Sequence, residues 1–348
     1  MVMRMDEGTE APNEGTRRRH RVPRWVWWAG LGALTAAGLG VILSRGVAQR
    51  DLSAAFSHLR WSGLPWLVVA FAAEGLSFFC YALVQQRLLL TGGARLGHRT
   101  MISLAVAATG LTNLVPGGTA PASGWLVSQY RRRRIAMPLA LWAVLAGGYA
   151  AAVSILTLLL AGAAIARLIG PLGTLGCAAA LAAGATLVVV AAHRLPALSR
   201  WAATRTTRAG RLVRRLTGGA AETLRFRIRL AGGTQVLLLS LANWGLDVGV
   251  LIAAFGLLGL PIPWHSVLFA YAAAQVAGSL APVPGGIGFV EGGMIGAFAL
   301  AGTNVGDAVA ATVIYRAVTC WLMAVVGTAT MVVISRRRAT PAEIGPGR

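Results

Sequence analysis

Charge is scarce in this chain. Only 12% of its 348 residues are charged, 56% are hydrophobic, and the mean hydropathy is +0.66. A soluble domain carries roughly a quarter charged residues, so this deficit excludes an ordinary water-soluble globule. Lysine is missing altogether, which reads as genomic base bias rather than as a physical signal, and all basic residues are arginines. Cysteine is limited to Cys80, Cys177 and Cys320, each inside an apolar run, with no CxxC pair and no histidine at ligand spacing. They read as small core residues, and neither a disulfide framework nor a metal site is expected. An Asp-x-Asp motif, a histidine cluster and a large polar loop suited to catalysis are also lacking, and no cofactor is called for.

What is present is a series of apolar runs with arginine between them. The net charge of +21 does not point to nucleic acid, because the arginines cluster at the ends of the runs. The positive-inside rule places such clusters on cytoplasmic loops. Residues 1–24 hold Asp6, Glu7, Glu10 and Glu14, then Arg17 to Arg21, without apolar periodicity, and read as a disordered cytoplasmic tail. The run 25–43 has the flanks of a signal peptide, with Gly46-Val47-Ala48 as a conceivable cleavage site. Its length of about 19 residues matches a membrane span, and a signal anchor is the preferred reading.

Full spans are expected at 25–43, 64–84, 135–161, 170–192, 234–258 and 307–334. Each is long enough to cross a hydrocarbon core of about 30 Å. Two further apolar stretches are broken, 100–130 at Pro116-Gly117-Gly118 and 267–301 at Pro284-Gly285-Gly286-Ile287-Gly288. Their arms are mostly too short to span, and both read as re-entrant hairpins. Laying Pro116 on Pro284 is a shift of 168 residues, which also carries the start of the span at Pro138 onto the start of the next at Gly306. The expectation is an all-α polytopic membrane protein with about six spans and two broken-helix hairpins in an inverted repeat. The repeats run over about 64–161 and 234–334 within a membrane domain of 25–335. Arginine places both chain ends, the basic loop 193–229 and the tail 336–348 on the cytoplasmic side of the cell membrane. The first hairpin then opens inward and the second outward. Broken helices at matched positions of two repeats are the usual pointer to a transporter site.

Four charged residues fall inside the apolar stretches: Glu74, Asp247, Glu291 and Arg316. Each costs about 2.5 to 3.5 kcal/mol at a helix centre and is seldom kept without a partner or a use. Counting from the outer helix ends puts all four about 14 to 16 Å deep. Asn243 and Asp247, at i and i+4, share a helix face and are expected to present two polar groups to one cavity. Glu291 and Arg316 can bind a substrate or simply pair with each other. The arm that begins at Phe289 turns its N-terminal amides into the membrane, where they suit a phosphate.

The segment Val283-Pro284-Gly285-Gly286-Ile287-Gly288-Phe289-Val290-Glu291, followed by Tyr315-Arg316-Ala317-Val318-Thr319-Cys320-Trp321, resembles the signature of the lysylphosphatidylglycerol synthase transmembrane-region family. The hydropathy resemblance covers about residues 25–335. It implies a flippase-like membrane domain that moves aminoacylated phospholipids or related lipid intermediates. It nominates Pro284, Gly285, Gly286, Gly288, Glu291, Tyr315 and Arg316 as site residues. In the first repeat Asn113 and Pro116 match the commoner pattern, but Gly118, Ala120-Pro121 and Ser123 stand where the family carries Arg, Gly-Glu and Arg. A different cargo is therefore conceivable. The chain ends soon after Arg338, without the soluble aminoacyl-transfer domain of some relatives, so a transporter is expected rather than a complete lipid aminoacylating enzyme.

The expected function is thus a lipid translocase. Its candidate substrate-binding residues are Glu291, Arg316, Tyr315, Asp247, Asn243, Glu74 and Asn113, and its broken-helix motifs are Pro116, Gly117, Gly118, Pro284, Gly285, Gly286 and Gly288. The expected partners are membrane lipids, anionic, aminoacylated or linked through polyprenyl phosphate, with a separate lipid-modifying enzyme as a further possibility and no nucleic acid. Two alternatives stay open: a membrane glycosyltransferase or its accessory acting on polyprenyl-linked sugars, and a secondary transporter of a small anion.

Overall fold

The computed structural model describes residues 63–203 and 228–336, together with Thr223, Phe226 and the pair Glu343–Ile344. The tail 1–24, the expected span 25–43 and most of the basic loop lie outside the described residues. Within them the apolar runs become helices: α1 (Leu64–Leu90), α2 (His98–Leu114), α3 (Thr119–Arg132), α4 (Met137–Ile165) and α5 (Pro171–Ala203). After the basic loop come α6 (Leu230–Leu257), α7 (Val267–Leu280), α8 (Phe289–Leu300), α9 (Val305–Arg316) and α10 (Met323–Arg336). Among the described residues five helical stretches are long and apolar enough to cross a membrane: α1, α4, residues 171–192 of α5, α6, and α9 through α10. They coincide with the five expected spans that fall on described residues. Helices suit this setting because every interior backbone group is bonded within its own segment, which lipid cannot do for it.

Their outward faces are apolar. Val68, Leu145, Leu172, Leu187, Leu238 and Val325 are all exposed, and the 171–192 window of α5 has no buried residue. Such surface is costly in water and is what a hydrocarbon environment accommodates. The protein is a multi-pass, all-α membrane protein. α5 continues 11 residues beyond the expected end at 192, so the start of the basic segment is helical. The chain near the end of α1 also pairs with the C-terminal segment, Ala94 with Ile344 and Arg95 with Glu343, in a two-residue antiparallel bridge that the sequence reading did not contain.

Both broken stretches fold as helix, break, helix. Helices α2 and α3 flank Pro116-Gly117-Gly118, with Gly117 at φ +60. Helices α7 and α8 flank a single 3-10 turn at Pro284–Gly286, with Gly285, Gly286 and Gly288 at φ +56, +65 and +85. Left-handed backbone of this kind is nearly free for glycine and strained for other residues, which is why the breaks carry glycine. Hydrogen bonds locate the mouths of the two hairpins. At the first, Tyr130 of α3 donates to Gln85 of α1 (3.3 Å) and the Trp142 indole of α4 donates to Thr91 Oγ1 (3.1 Å), so the hairpin opens where α1 ends. At the second, His265 Nε2 lies 3.2 Å from the Ala301 carbonyl, joining the two sides of the mouth. That mouth is at the other end of the bundle, because α4 ends against the start of α7, where a Cβ on Gly162 would lie 2.5 Å from the Phe269 nitrogen.

The helices are paired by exchange. The opening helices of the two expected repeats, 64–161 and 234–334, here called units, are α1 and α6, and they pack on each other. The first hairpin's entry arm α2 packs on α10 at the close of the second unit, and the second hairpin's entry arm α7 packs on α4 at the close of the first. Glycine permits both exchanged contacts. A Cβ on Gly110 would lie 2.7 Å from Gly327 Cα, so α2 and α10 cross at backbone distance, as small residues allow within a membrane.

Candidate functional site

The two hairpin tips meet. A Cβ on Gly285 would lie 3.2 Å from the Asn113 carbonyl oxygen and 3.0 Å from Cys320 Sγ, so the second tip sits directly on the end of α2 and on the helix after Arg316. That helix is not regular. The expected span 307–334 contains a π segment at Ala317–Leu322, and Asn113 Nδ2 donates to its Thr319 and Cys320 carbonyls, both at 3.3 Å. A π turn loosens the regular ladder and offers carbonyls to side chains, and such turns recur at functional sites. Asn113, nominated from sequence as a substrate ligand, thus has its amide engaged by the opposite unit.

Glu291 and Arg316 serve the second break. Arg316 Nε donates to Glu291 Oε1 at 2.7 Å, and its terminal nitrogen donates to the Gly285 carbonyl at 2.7 Å. Glu291 Oε2 in turn accepts the Gly288 amide at 2.6 Å. The pair therefore holds both ends of the Gly285–Gly288 turn. The side chains are 7% and 16% exposed, so the ions are desolvated enough for charge-assisted bonds to be strong. At the entry to α8 the amide of the N-cap residue, Gly288, is thus occupied by the protein's own carboxylate.

Asn243 is engaged by the neighbouring helix. Its Nδ2 donates to Ser77 Oγ at 2.6 Å and to the Ser77 carbonyl at 3.1 Å, while Ser77 Oγ donates back to the Asn243 carbonyl at 3.1 Å. It stitches α6 to α1. Asp247 instead faces α7 and α9: its Oδ2 accepts from Tyr271 (2.6 Å), Tyr315 (3.1 Å) and Gln275 (3.4 Å), and Gln275 also donates to the Tyr315 hydroxyl at 2.9 Å. Glu74 is 6% exposed and within electrostatic reach of Asp247. The structure therefore brings Glu74, Asp247 and Tyr315 into one polar centre, with Arg316 beside it and Glu291 beyond.

Tyr271, Gln275 and Ser77 were not singled out from sequence. Tyr271 and Gln275 did carry a signal, since they stand at i and i+4 within an otherwise apolar arm and so share a face. The Pro-Gly-Gly breaks, the Glu291–Arg316 clamp and the polar centre all lie within residues 27–327, the stretch that matches the family model of the lysylphosphatidylglycerol synthase TM region. The chain belongs to this family. Membership makes it a membrane protein related to lipid handling. A comparison with curated proteins finds no match. Among the described residues no group of three His, Cys, Asp or Glu side chains is placed to hold a metal ion.

Proposed function

We propose that this member of the lysylphosphatidylglycerol synthase TM region family is a lipid translocase, moving a phospholipid or lipid-linked intermediate between leaflets of the cell membrane. The observation that carries the reading is the meeting of the two broken-helix tips, Gly285 on Asn113, from hairpins that open at opposite ends of the bundle. The exchanged packing of α2 on α10 and α7 on α4 is the pattern a two-fold axis in the membrane plane produces. It supports an inverted repeat, in which each half can adopt the other's conformation and open a midplane site alternately to the two sides. The tips are built for such a change, since backbone without regular helical bonds reorganises more readily than a packed span.

In this reading both chain ends are cytoplasmic, the protein carries rather than modifies its lipid, and a separate enzyme supplies or consumes the cargo. The cargo presents an anionic or aminoacylated head group, or a polyprenyl phosphate. The test pairs identification with transport. Protein purified gently is examined by native mass spectrometry for retained lipid, and that lipid is then placed in one leaflet of proteoliposomes and followed with an impermeant head-group reagent. Retention of a defined lipid class and its passage faster than in protein-free liposomes are expected. No enrichment and no movement would overturn the reading.

A further inference from the structure

Helices α1 and α6 lie antiparallel in a register fixed at four levels. Gly63 meets the Leu257 carbonyl, Gly256 meets the Trp66 ring, a Cβ on Gly249 would touch Ala73 at 3.7 Å, and Ser77 bonds Asn243. Each step up α1 is a step down α6, and Glu74 therefore stands level with Asp247. Two acids face each other across the helix pair that joins the two units, less than a turn from where the shift of 168 residues would set a residue against its own counterpart.

Their partners do not balance their charge. Asp247 Oδ2 is served by the neutral donors Tyr271, Tyr315 and Gln275, whereas Oδ1 is buried with no hydrogen-bond partner. Glu74, 94% buried by its 6% exposure, makes no hydrogen bond to a described residue, and its electrostatic neighbours are Asp247 and Tyr315. The titratable groups facing the pair are Tyr271 from α7 and Tyr315 and Arg316 from α9, with Glu291 of α8 and Cys320 of the π segment behind Arg316. Arg316 is the one cation among these groups, and two of its nitrogens are spent on Glu291 and the Gly285 carbonyl. Three carboxylates around one guanidinium, in surroundings with little water, call for another positive charge.

We propose that Glu74 and Asp247 bind one monovalent cation, a proton or a sodium ion, whose uptake and release accompanies alternation of the two halves. Three carboxylate oxygens without a protein donor, Asp247 Oδ1 and both of Glu74, are the ligands on offer. The interface of two repeats near the midplane is where coupling ions are held in transporters of this build. The proposal rests on the translocase reading for what the ion drives, but not for the existence of the site.

The experiment therefore has two arms. In the first, wild-type protein in liposomes is treated with a hydrophobic carbodiimide, which reacts with protonated carboxyls in apolar surroundings, and adducts are located by peptide mass spectrometry. An adduct on Glu74 or Asp247 is expected, absent from the E74Q or D247N variant respectively and falling as pH is raised. If sodium is the ion, saturating sodium should suppress labelling about tenfold relative to a large organic cation, whereas a proton site is indifferent to sodium. In the second arm, lipid movement is measured under an imposed pH or sodium gradient. Each tenfold ion gradient can support up to about tenfold lipid accumulation per ion coupled, and E74Q and D247N should abolish that dependence. Labelling without lipid movement would sink the translocase reading and leave the cation site. Lipid movement indifferent to both gradients, with neither carboxylate labelled at any pH, would overturn the cation site and leave the translocase.

Discussion

Replacing Arg316 by methionine should damage the protein more than removing both members of its ion pair. Arg316→Met takes away the 2.7 Å bonds to Glu291 and to the Gly285 carbonyl and strands a carboxylate whose remaining partner among the described residues is the Gly288 amide. Breaking a buried pair by removing one partner costs about 3 to 5 kcal/mol, chiefly through the uncompensated charge. Adding Glu291→Gln removes that charge while keeping an oxygen that can still accept from Gly288. The loss that remains in the double variant is the Gly285 carbonyl bond, worth about 1.5 to 3 kcal/mol for a charged donor. Adding the second substitution should therefore restore about 1 to 3 kcal/mol relative to Arg316→Met alone. Steric trapping in bicelles measures unfolding of the two single variants and the double, and a double-mutant cycle extracts the coupling. Additivity within about 0.5 kcal/mol would refute the clamp, because residues that share a network must couple more strongly than that. Lipid movement by the folded double variant then separates two roles: retained transport marks a pair serving only the break, and lost transport marks one that also meets the head group.

Three further outcomes are expected. Gly285→Leu or Gly286→Leu should abolish transport and lower thermal stability measured by fluorescence-detected size exclusion. Gly184→Leu should do neither, because Gly285 and Gly286 sit at φ +56 and +65 against their neighbours while Gly184 has no non-local atom within 4 Å of its Cβ position; equal effects at all three would argue against a special break. Gly110→Leu should cost folded yield on expression, because its Cβ would fall 2.7 Å from Gly327 Cα where α2 crosses α10, and normal yield would contradict that crossing. In a cysteine-free background, Trp264→Cys should react with an impermeant thiol reagent applied outside cells and Arg131→Cys only after permeabilisation, since the two exposed residues stand at the mouths of opposite hairpins; the reverse pattern would invert the orientation.

Spans and breaks were legible because each leaves a one-dimensional trace. Hydropathy over about 20 residues marks a helix that lipid must cover, and Pro-Gly-Gly within such a run marks backbone that cannot continue as a helix. Glu291 and Arg316 were legible as a possible pair because both are rare inside a membrane and fall at similar depth. What sequence left open was the choice of partner. Asn243 and Asp247 do share a face of α6, yet the face alone does not say that Asn243 meets Ser77 of α1 while Asp247 turns to Tyr271 and Tyr315. That choice depends on helix rotation and register, which are set by glycines such as Gly63 and Gly256 that admit close approach. The π segment escaped for another reason: its apolar residues suit an α-helix as well, and the feature follows from tertiary partners such as Asn113 rather than from local preference.

The two tips are alike in sequence and unlike in how they are held. The second carries its own ionic clamp, in which Arg316 and Glu291 fix the Gly285 carbonyl and the Gly288 amide. The first has no charge of its own, since no charged residue stands between Pro116 and Tyr130. Its left-handed Gly117 has nothing near its Cβ position, while a Cβ on Gly118 would press on the backbone of Thr112. Its hold on the other unit is the Asn113 amide, shared between two π-segment carbonyls at 3.3 Å, a neutral contact at the long end of the hydrogen-bond range. Charge-assisted bonds are about twice as strong as neutral ones, so the Asn113 contact with the π segment is broken at less cost than a bond of the Arg316 clamp. The π segment is continuous with Arg316 and Tyr315, and Tyr315 donates to Asp247. The neutral Asn113 contact between the units is thereby joined, through one helix, to the buried acids at their interface.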